Sequence, residues 1–225
     1  MTTTYIITGH YGSGKTEFCV NLAMDAVTRT RVGDVTIADL DVINPYFRSR
    51  EKAQRLAAHG ITVMGDCLDN NTGQDLPAVS FAFLSRIRSG RAVVVDLGGG
   101  KMGINLLASC YDAINSGINY EFLCVLNLFR KETSSPADMI NFVRQINGTS
   151  KISVTGLVNN GHMLHDTTAQ HVLASQQAVC EAAHVLGLPI KYTMLRRDIL
   201  NEIEGEIKSE HVLAFDKLTM RETWQ

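Results

Sequence analysis

The sequence predicts an α/β fold of three layers, in which a mostly parallel central sheet carries helices on both faces. Three observations predict it. The segments that read as strands are apolar throughout rather than alternating, as strands covered on both sides are. They are separated by stretches of helical periodicity, so strand and helix alternate along the chain. The glycines and acidic residues gather directly after strands, at 9–16, 39–41 and 96–100, with Asn159 and Asn160 further on. In such sheets ligands bind beyond the carboxyl ends of the strands.

Residues 5–8 (Tyr-Ile-Ile-Thr) form the first short strand and stop at Gly9. From Lys15 a helix follows, with Phe18, Cys19, Leu22, Ala23 and Ala26 on one face. Residues 35–38 make the second strand, and Asn44-Pro45 then supplies an N-cap and a first helical residue. Residues 54–59 continue helical until Gly60, and 61–64 form a third strand. The polar run 66–77 reads as a surface loop, 79–87 as a helix and 92–95 as an apolar strand. Residues 122–126 form a further strand, and Ser135 caps a helix over 136–146. Residues 152–158 are the next strand, 168–186 a long helix closed by Gly187, and 189–192 a last short strand. The charged tail from Asn201 gives no clear element.

No repeat, linker or low-complexity stretch divides the 225 residues, so one domain over 1–225 is expected. The chain is 45% hydrophobic and 20% charged, with a formal net charge of −2, which announces no basic nucleic-acid-binding surface. The five cysteines are scattered without a Cys-x-x-Cys pair, so reduced thiols rather than a disulfide framework or zinc knuckle are expected. The opening Met1-Thr2-Thr3-Thr4 lacks the basic region of a signal peptide, and no apolar run approaches the roughly 20 residues of a membrane span. A soluble, cytoplasmic protein is the expectation.

The run Gly9-His10-Tyr11-Gly12-Ser13-Gly14-Lys15-Thr16 matches the phosphate-loop pattern G-x-x-x-x-G-K-[ST]. Glycines let the backbone wrap so that successive N–H groups face anionic oxygens. The helix that starts at Lys15 adds its positive end. Lys15 supplies a mobile cation for the β- and γ-phosphates, and Thr16 a hydroxyl for magnesium. The fold class is thus that of the P-loop NTPases, with ATP and magnesium as cofactors. The expected nucleotide-binding positions are Gly9, His10, Gly12, Ser13, Gly14, Lys15, Thr16 and Glu17.

Asp96 ends the strand at 92–95 and is placed to hold magnesium. Gly98 and Gly99 follow, where a backbone N–H can meet the γ-phosphate and move when it leaves. Asp39 and Asp41 end another strand two residues apart, so an extended chain directs both the same way. One can hold the metal while the other orients the attacking water.

The phosphate loop, the Asp39-Leu40-Asp41 pair leading to Asn44 and the Asp96-Leu97-Gly98-Gly99 run resemble the ParA/MinD/CobQ-type branch of the SIMIBI-class P-loop NTPases. Leu126-Asn127-Leu128 and Leu157-Val158-Asn159-Asn160 fit the same layout. The resemblance implies that the first strand lies beside the Asp96 strand, that Lys15 grips phosphate, and that Thr16, Asp39 and Asp96 surround the metal. It implies that Asp41 positions the hydrolytic water and Asn159 contacts adenine. The guanine-reading Asn-Lys-x-Asp run is absent after that strand, which favours ATP. In the ParA/MinD type a second lysine follows the first glycine and reaches across an ATP-dependent homodimer; this chain carries His10 there. A MinD-like membrane tail and ParA-like DNA binding have no support in the charge pattern.

Arg48 and Arg50 follow the Asp41 segment and read as solvated arginines, Lys101 follows the triple glycine, and Arg130 and Lys131 follow a strand end near where ligands bind, their role open. His162, His165 and Asp166 have a metal-like spacing without a further ligand cluster, so a loop and helix cap is expected. The function expected first is a magnesium-dependent ATPase whose catalytic residues are Lys15 and Asp41 and whose hydrolysis switches a protein partner. One alternative is an ATP-dependent phosphotransferase or ligase-like enzyme on a small metabolite, as in dethiobiotin synthetase. Another is a metalloenzyme maturation chaperone.

Overall fold

The computed structural model describes residues 3–30, 35–40, 49–64, 85–87, 90–109, 111–115 and 117–220. Asp41, Asn44, Pro45, Arg48, Cys67, Cys110, the loop at 66–77 and residues 79–84 of the expected helix lie outside the described residues, as do the side chains of Arg50 and Lys101.

Among the described residues eight strands form one sheet: β1 (Thr4–Gly9), β2 (Val35–Leu40), β3 (Ile61–Met64), β4 (Ala92–Leu97), β5 (Tyr120–Leu126), β6 (Gly156–Asn159), β7 (Ile190–Arg196) and β8 (His211–Phe215). Their order is β3-β2-β4-β1-β5-β6-β7-β8, and every neighbouring pair is parallel. The helices are α1 (Lys15–Thr30), α2 (Ala53–Ala57), α3 (Lys101–Ser109), α4 (Tyr111–Asn115), α5 (Pro136–Ser150), α6 (Ala169–Leu186) and α7 (Arg197–Ile203). As the resemblance implied, β1 lies beside the Asp96 strand, β4.

Successive residues of each central strand feed opposite cores, which is why the strands read as unbroken apolar runs. Ile6, Val93, Val95, Phe122 and Cys124 pack against residues of α3, α5 and α6. Ile7, Val94, Leu123 and Val125 pack on the other face against α1 and Leu56 of α2. Phe18 of α1 and Phe122 of β5 are fully buried, each adding about 1.5–3 kcal/mol over an exposed side chain. Ser135 caps α5, its Oγ accepting from the Asp138 N–H at 3.2 Å.

Several segments depart from the expectation, among them α3, α4 and α7, to which the sequence assigned no element. Ile152 and Val154 are buried but lie outside the ladder: the Thr155 Oγ1 accepts the Phe122 N–H at 2.9 Å, and β6 begins only at Gly156. The tail holds a strand that the sequence left unassigned. β8 sits at the sheet edge, where only Leu213 is buried, so its apolar signal is half that of the inner strands.

Because all strands run one way, their carboxyl ends meet on one edge. That edge carries Gly9, Asp39, Asp96, Asn127, Asn159 and Arg196.

Candidate functional site

The loop between β1 and α1 is shaped by two glycines in the left-handed region, Gly12 at φ 74° and Gly14 at φ 83°. The Ser13 N–H donates to the His10 carbonyl at 3.0 Å, and the Phe18 N–H donates to the Gly14 carbonyl at 2.9 Å, starting the helix. Two side chains from other loops hold carbonyls of the loop. Arg130 Nε donates to the Gly12 carbonyl at 2.7 Å, and Asn160 Nδ2 donates to the Ser13 carbonyl at 2.8 Å. A side chain at Gly14 would run into Asn160 and His162. A side chain at Gly99 would strike the Gly9 carbonyl, so the turn after β4 lies directly against the loop.

Lys15 is 5% exposed and Thr16 2%. Opposite them, Asp39 and Asp96 are direct cross-strand partners on β2 and β4, 6% and 0% exposed. The Ser49 hydroxyl donates to Asp39 Oδ2 at 3.2 Å. Cys19, one turn beyond Lys15, senses the whole cluster. Burial pushes its thiol well above the usual range; the Asp96 and Asp39 carboxylates add to this, and Lys15 opposes it. Two adjacent buried carboxylates require nearby positive charge. Lys15 supplies one cation. Two carboxylates and the Thr16 hydroxyl are hard oxygen donors of the kind that hold magnesium together with water and phosphate.

The residues also fit a polyphosphate. The 9–16 loop is a concave backbone cradle in front of a helix start. Among the described residues, the buried Ser13 hydroxyl has no protein hydrogen-bond partner. Among the described residues, no cluster of three or more His, Cys, Asp or Glu side chains could hold a metal ion, and no helix is long and apolar enough to cross a membrane.

Beside the loop opens a cavity of about 750 Å³. Its walls come from the phosphate loop, the turn after β5, the segment after β6, the end of β7 and the chain after β8. His162 in this wall has its pKa lowered to about 4, first by burial and then by the Arg130 charge, so it is neutral near pH 7. Arg196 is anchored at the rim by Asp198, with Nε and Nη2 donating at 3.0 and 2.8 Å.

The structure brings Gly9, His10, Gly12, Ser13, Gly14, Lys15, Thr16, Asp39, Asp96 and Gly99 together, with Gly98 buried next to Gly99. Asn159 is placed differently. Its fully buried carboxamide accepts from Ser175 at 2.7 Å and faces Gln176, while Asn160 lines the cavity. The Glu17 carboxylate is likewise committed elsewhere, accepting the Thr219 and Met220 N–H groups at 2.7 and 2.9 Å. His10 lies 3.4 Å from Glu132 and packs edge-on against Phe142 of its own chain. His165 faces Asp166 at 3.2 Å on the surface, away from any ligand cluster. The sequence reading did not assign roles to Asn160, Glu132 or the chain after β8. Tertiary contact reveals these roles: Asn160 belongs to the 157–160 run without a role of its own, and Glu132 and the chain after β8 fall in no motif.

Comparison with protein-family models and with curated proteins returns no match. Solved structures do match. Cell division protein FtsY from Thermotoga maritima superposes with a TM-score of 0.57 at 20% identity, covering 87% of this chain and 62% of that one. FtsY from Mycoplasma mycoides gives 0.58 at 15% identity over 85% and 59% of the two chains. The signal recognition particle 54 kDa protein from Aeropyrum pernix K1, solved with GDP, gives 0.59 at 18% identity over 85% and 41%. The chain shares the mostly parallel α/β, P-loop NTPase-like fold of these structures. It spans about three fifths or less of the length of these structures.

Proposed function

We propose that this chain is a magnesium-dependent ATPase of the ParA/MinD type whose hydrolysis switches its interaction with a protein partner. One observation carries the reading: Lys15 and Thr16 of a formed phosphate loop stand among the paired carboxylates of Asp39 and Asp96. In this reading Lys15 and the inward amides of the loop bind the β- and γ-phosphates. Thr16, Asp39 and Asp96 hold magnesium, which neutralises phosphate charge when bound. Asp41, next after β2, orients the attacking water. Gly98 and Gly99 follow Asp96, and the contact of Gly99 with Gly9 supports a turn that responds to the terminal phosphate.

Adenine is favoured over guanine by the wall after β6. A guanine reader needs a carboxylate to accept from the base edge. Here Asn159 is followed by Asn160, Gly161 and neutral His162, and the next acid along the chain, Asp166, is on the surface beside His165. Steady-state ATP turnover of the wild type, Lys15→Ala and Asp41→Ala tests the mechanism. Both substitutions should abolish magnesium-dependent turnover. Activity that survives both refutes the assigned roles. Size analysis with a non-hydrolysable ATP analogue tests for the homodimer.

A further inference from the structure

Arg130 belongs to a turn after β5 that is fixed by buried polar groups. Asn127 is fully buried; its Oδ1 accepts the Phe129 N–H at 3.0 Å, and its Nδ2 donates to the His162 carbonyl at 3.1 Å. Thr133, also fully buried, donates its hydroxyl to the Asn127 carbonyl at 2.6 Å and its N–H to the Arg130 carbonyl at 3.0 Å. The Arg130 N–H closes the turn on the Asn127 carbonyl at 3.2 Å. Buried polar side chains are costly unless each is satisfied, and here their bonds fix one short turn.

The residue that this turn presents is Arg130. Its Nε donates to the Gly12 carbonyl, and its guanidinium lies over Gly12, where an added Cβ would stand 3.3 Å from Nε and 3.5 Å from Cζ. A Cβ at position 12 would crowd the guanidinium, and the φ of 74° there favours glycine. A guanidinium has five N–H donors, and Gly12 takes one. Among the described residues no carboxylate pairs with Arg130; Glu132, two positions on, faces His10 instead. Arg130 and Lys15 border the same cavity. A half-buried cation held without a counter-ion against a phosphate loop awaits an anion.

We propose that Arg130 is a second cationic phosphate ligand of this site, clamped over the loop in cis by the 127–133 turn. The inference rests on the nucleotide reading above and adds a residue to it. Glutamine at this position places its amide nitrogen the same number of bonds from the backbone as the arginine Nε. Arg130→Gln therefore keeps the donor to Gly12 and removes the charge, whereas Arg130→Lys keeps the charge.

The test is calorimetric titration of wild type and both variants with magnesium–ATP at several salt concentrations, with melting of the nucleotide-free proteins as control. Arg130→Gln should weaken binding about 10- to 100-fold and make the salt dependence shallower. Arg130→Lys should retain most of the affinity and the wild-type salt dependence. A glutamine variant that binds like the wild type, or a lysine variant that loses as much as the glutamine one, overturns the proposal. If Arg130→Gln melts far below the wild type, the lysine variant alone decides in the same way. Failure of the wild type to bind would remove the nucleotide reading and this inference with it; wild type and Arg130→Gln binding alike would remove this inference alone.

Discussion

Replacing Glu17 by alanine should detach the Thr219 and Met220 backbone from the phosphate-loop helix. The carboxylate is 4% exposed and accepts two backbone N–H groups, from Thr219 at 2.7 Å and Met220 at 2.9 Å, together with Asn21 Nδ2 at 2.9 Å. A hydrogen bond to a charged group contributes about 1.5–3 kcal/mol, so the two backbone bonds alone are worth roughly 3–6 kcal/mol. The segment can peel away before the whole cost is incurred, at the expense of exposing Met220, which is 1% exposed. The expected loss is thus about 3–5 kcal/mol. At about 2–4 °C per kcal/mol for a chain of this size, the melting midpoint should fall by roughly 6–20 °C. Glu17→Gln keeps one oxygen but turns an amide donor toward a backbone N–H, so it should lose about half as much. Denaturant unfolding measures the loss, and hydrogen exchange at the Thr219 and Met220 amides locates it. A change below about 1 kcal/mol in Glu17→Ala, with both amides still protected, would refute the reasoning.

Acid should weaken the fold through His162. Its folded pKa of about 4 lies below the ordinary 6.5, so this contribution is complete above pH 6.5 and is lost as pH falls toward 4, by no more than about 3 kcal/mol; His162→Gln should flatten the stability profile in that window. Gly14→Ala places a Cβ at φ 83° and against Asn160, so it should cost at least about 1–2 kcal/mol in denaturant unfolding and weaken triphosphate binding. The buried thiol of Cys19, raised by burial and by Asp96, should resist alkylation in the native protein at pH 8 and label once denatured; rapid native labelling would contradict its placement.

Much of the fold was legible because the inner strands report their environment. Val93, Val94 and Val95 face two different cores in turn, and an unbroken apolar run is the direct result. The phosphate loop was legible because its shape depends on local backbone chemistry, with Gly12 and Gly14 in the left-handed region and Lys15 opening α1. Asp39 and Asp96 were legible as strand ends, and the register of β2 against β4 brings them side by side.

What stayed hidden depends on pairings distant in sequence. Asn159 and Asn160 are chemically identical neighbours, and only the packing of α6 decides which one is spent on Ser175 and which one reaches Ser13. Glu17 sits inside the phosphate-loop helix, yet its carboxylate serves residues some 200 positions away. β8 escaped because an edge strand buries one face, and His211 and Val212 remain exposed.

The claim on which the functional account stands is that the 9–16 loop and Lys15 grip a triphosphate. Isothermal titration of the wild type with magnesium–ATP measures this most directly. Saturable binding is predicted, with a dissociation constant between about 1 μM and 1 mM and at least tenfold weaker binding in Lys15→Ala. No saturable heat from the folded wild type, or equal affinity in Lys15→Ala, would contradict it.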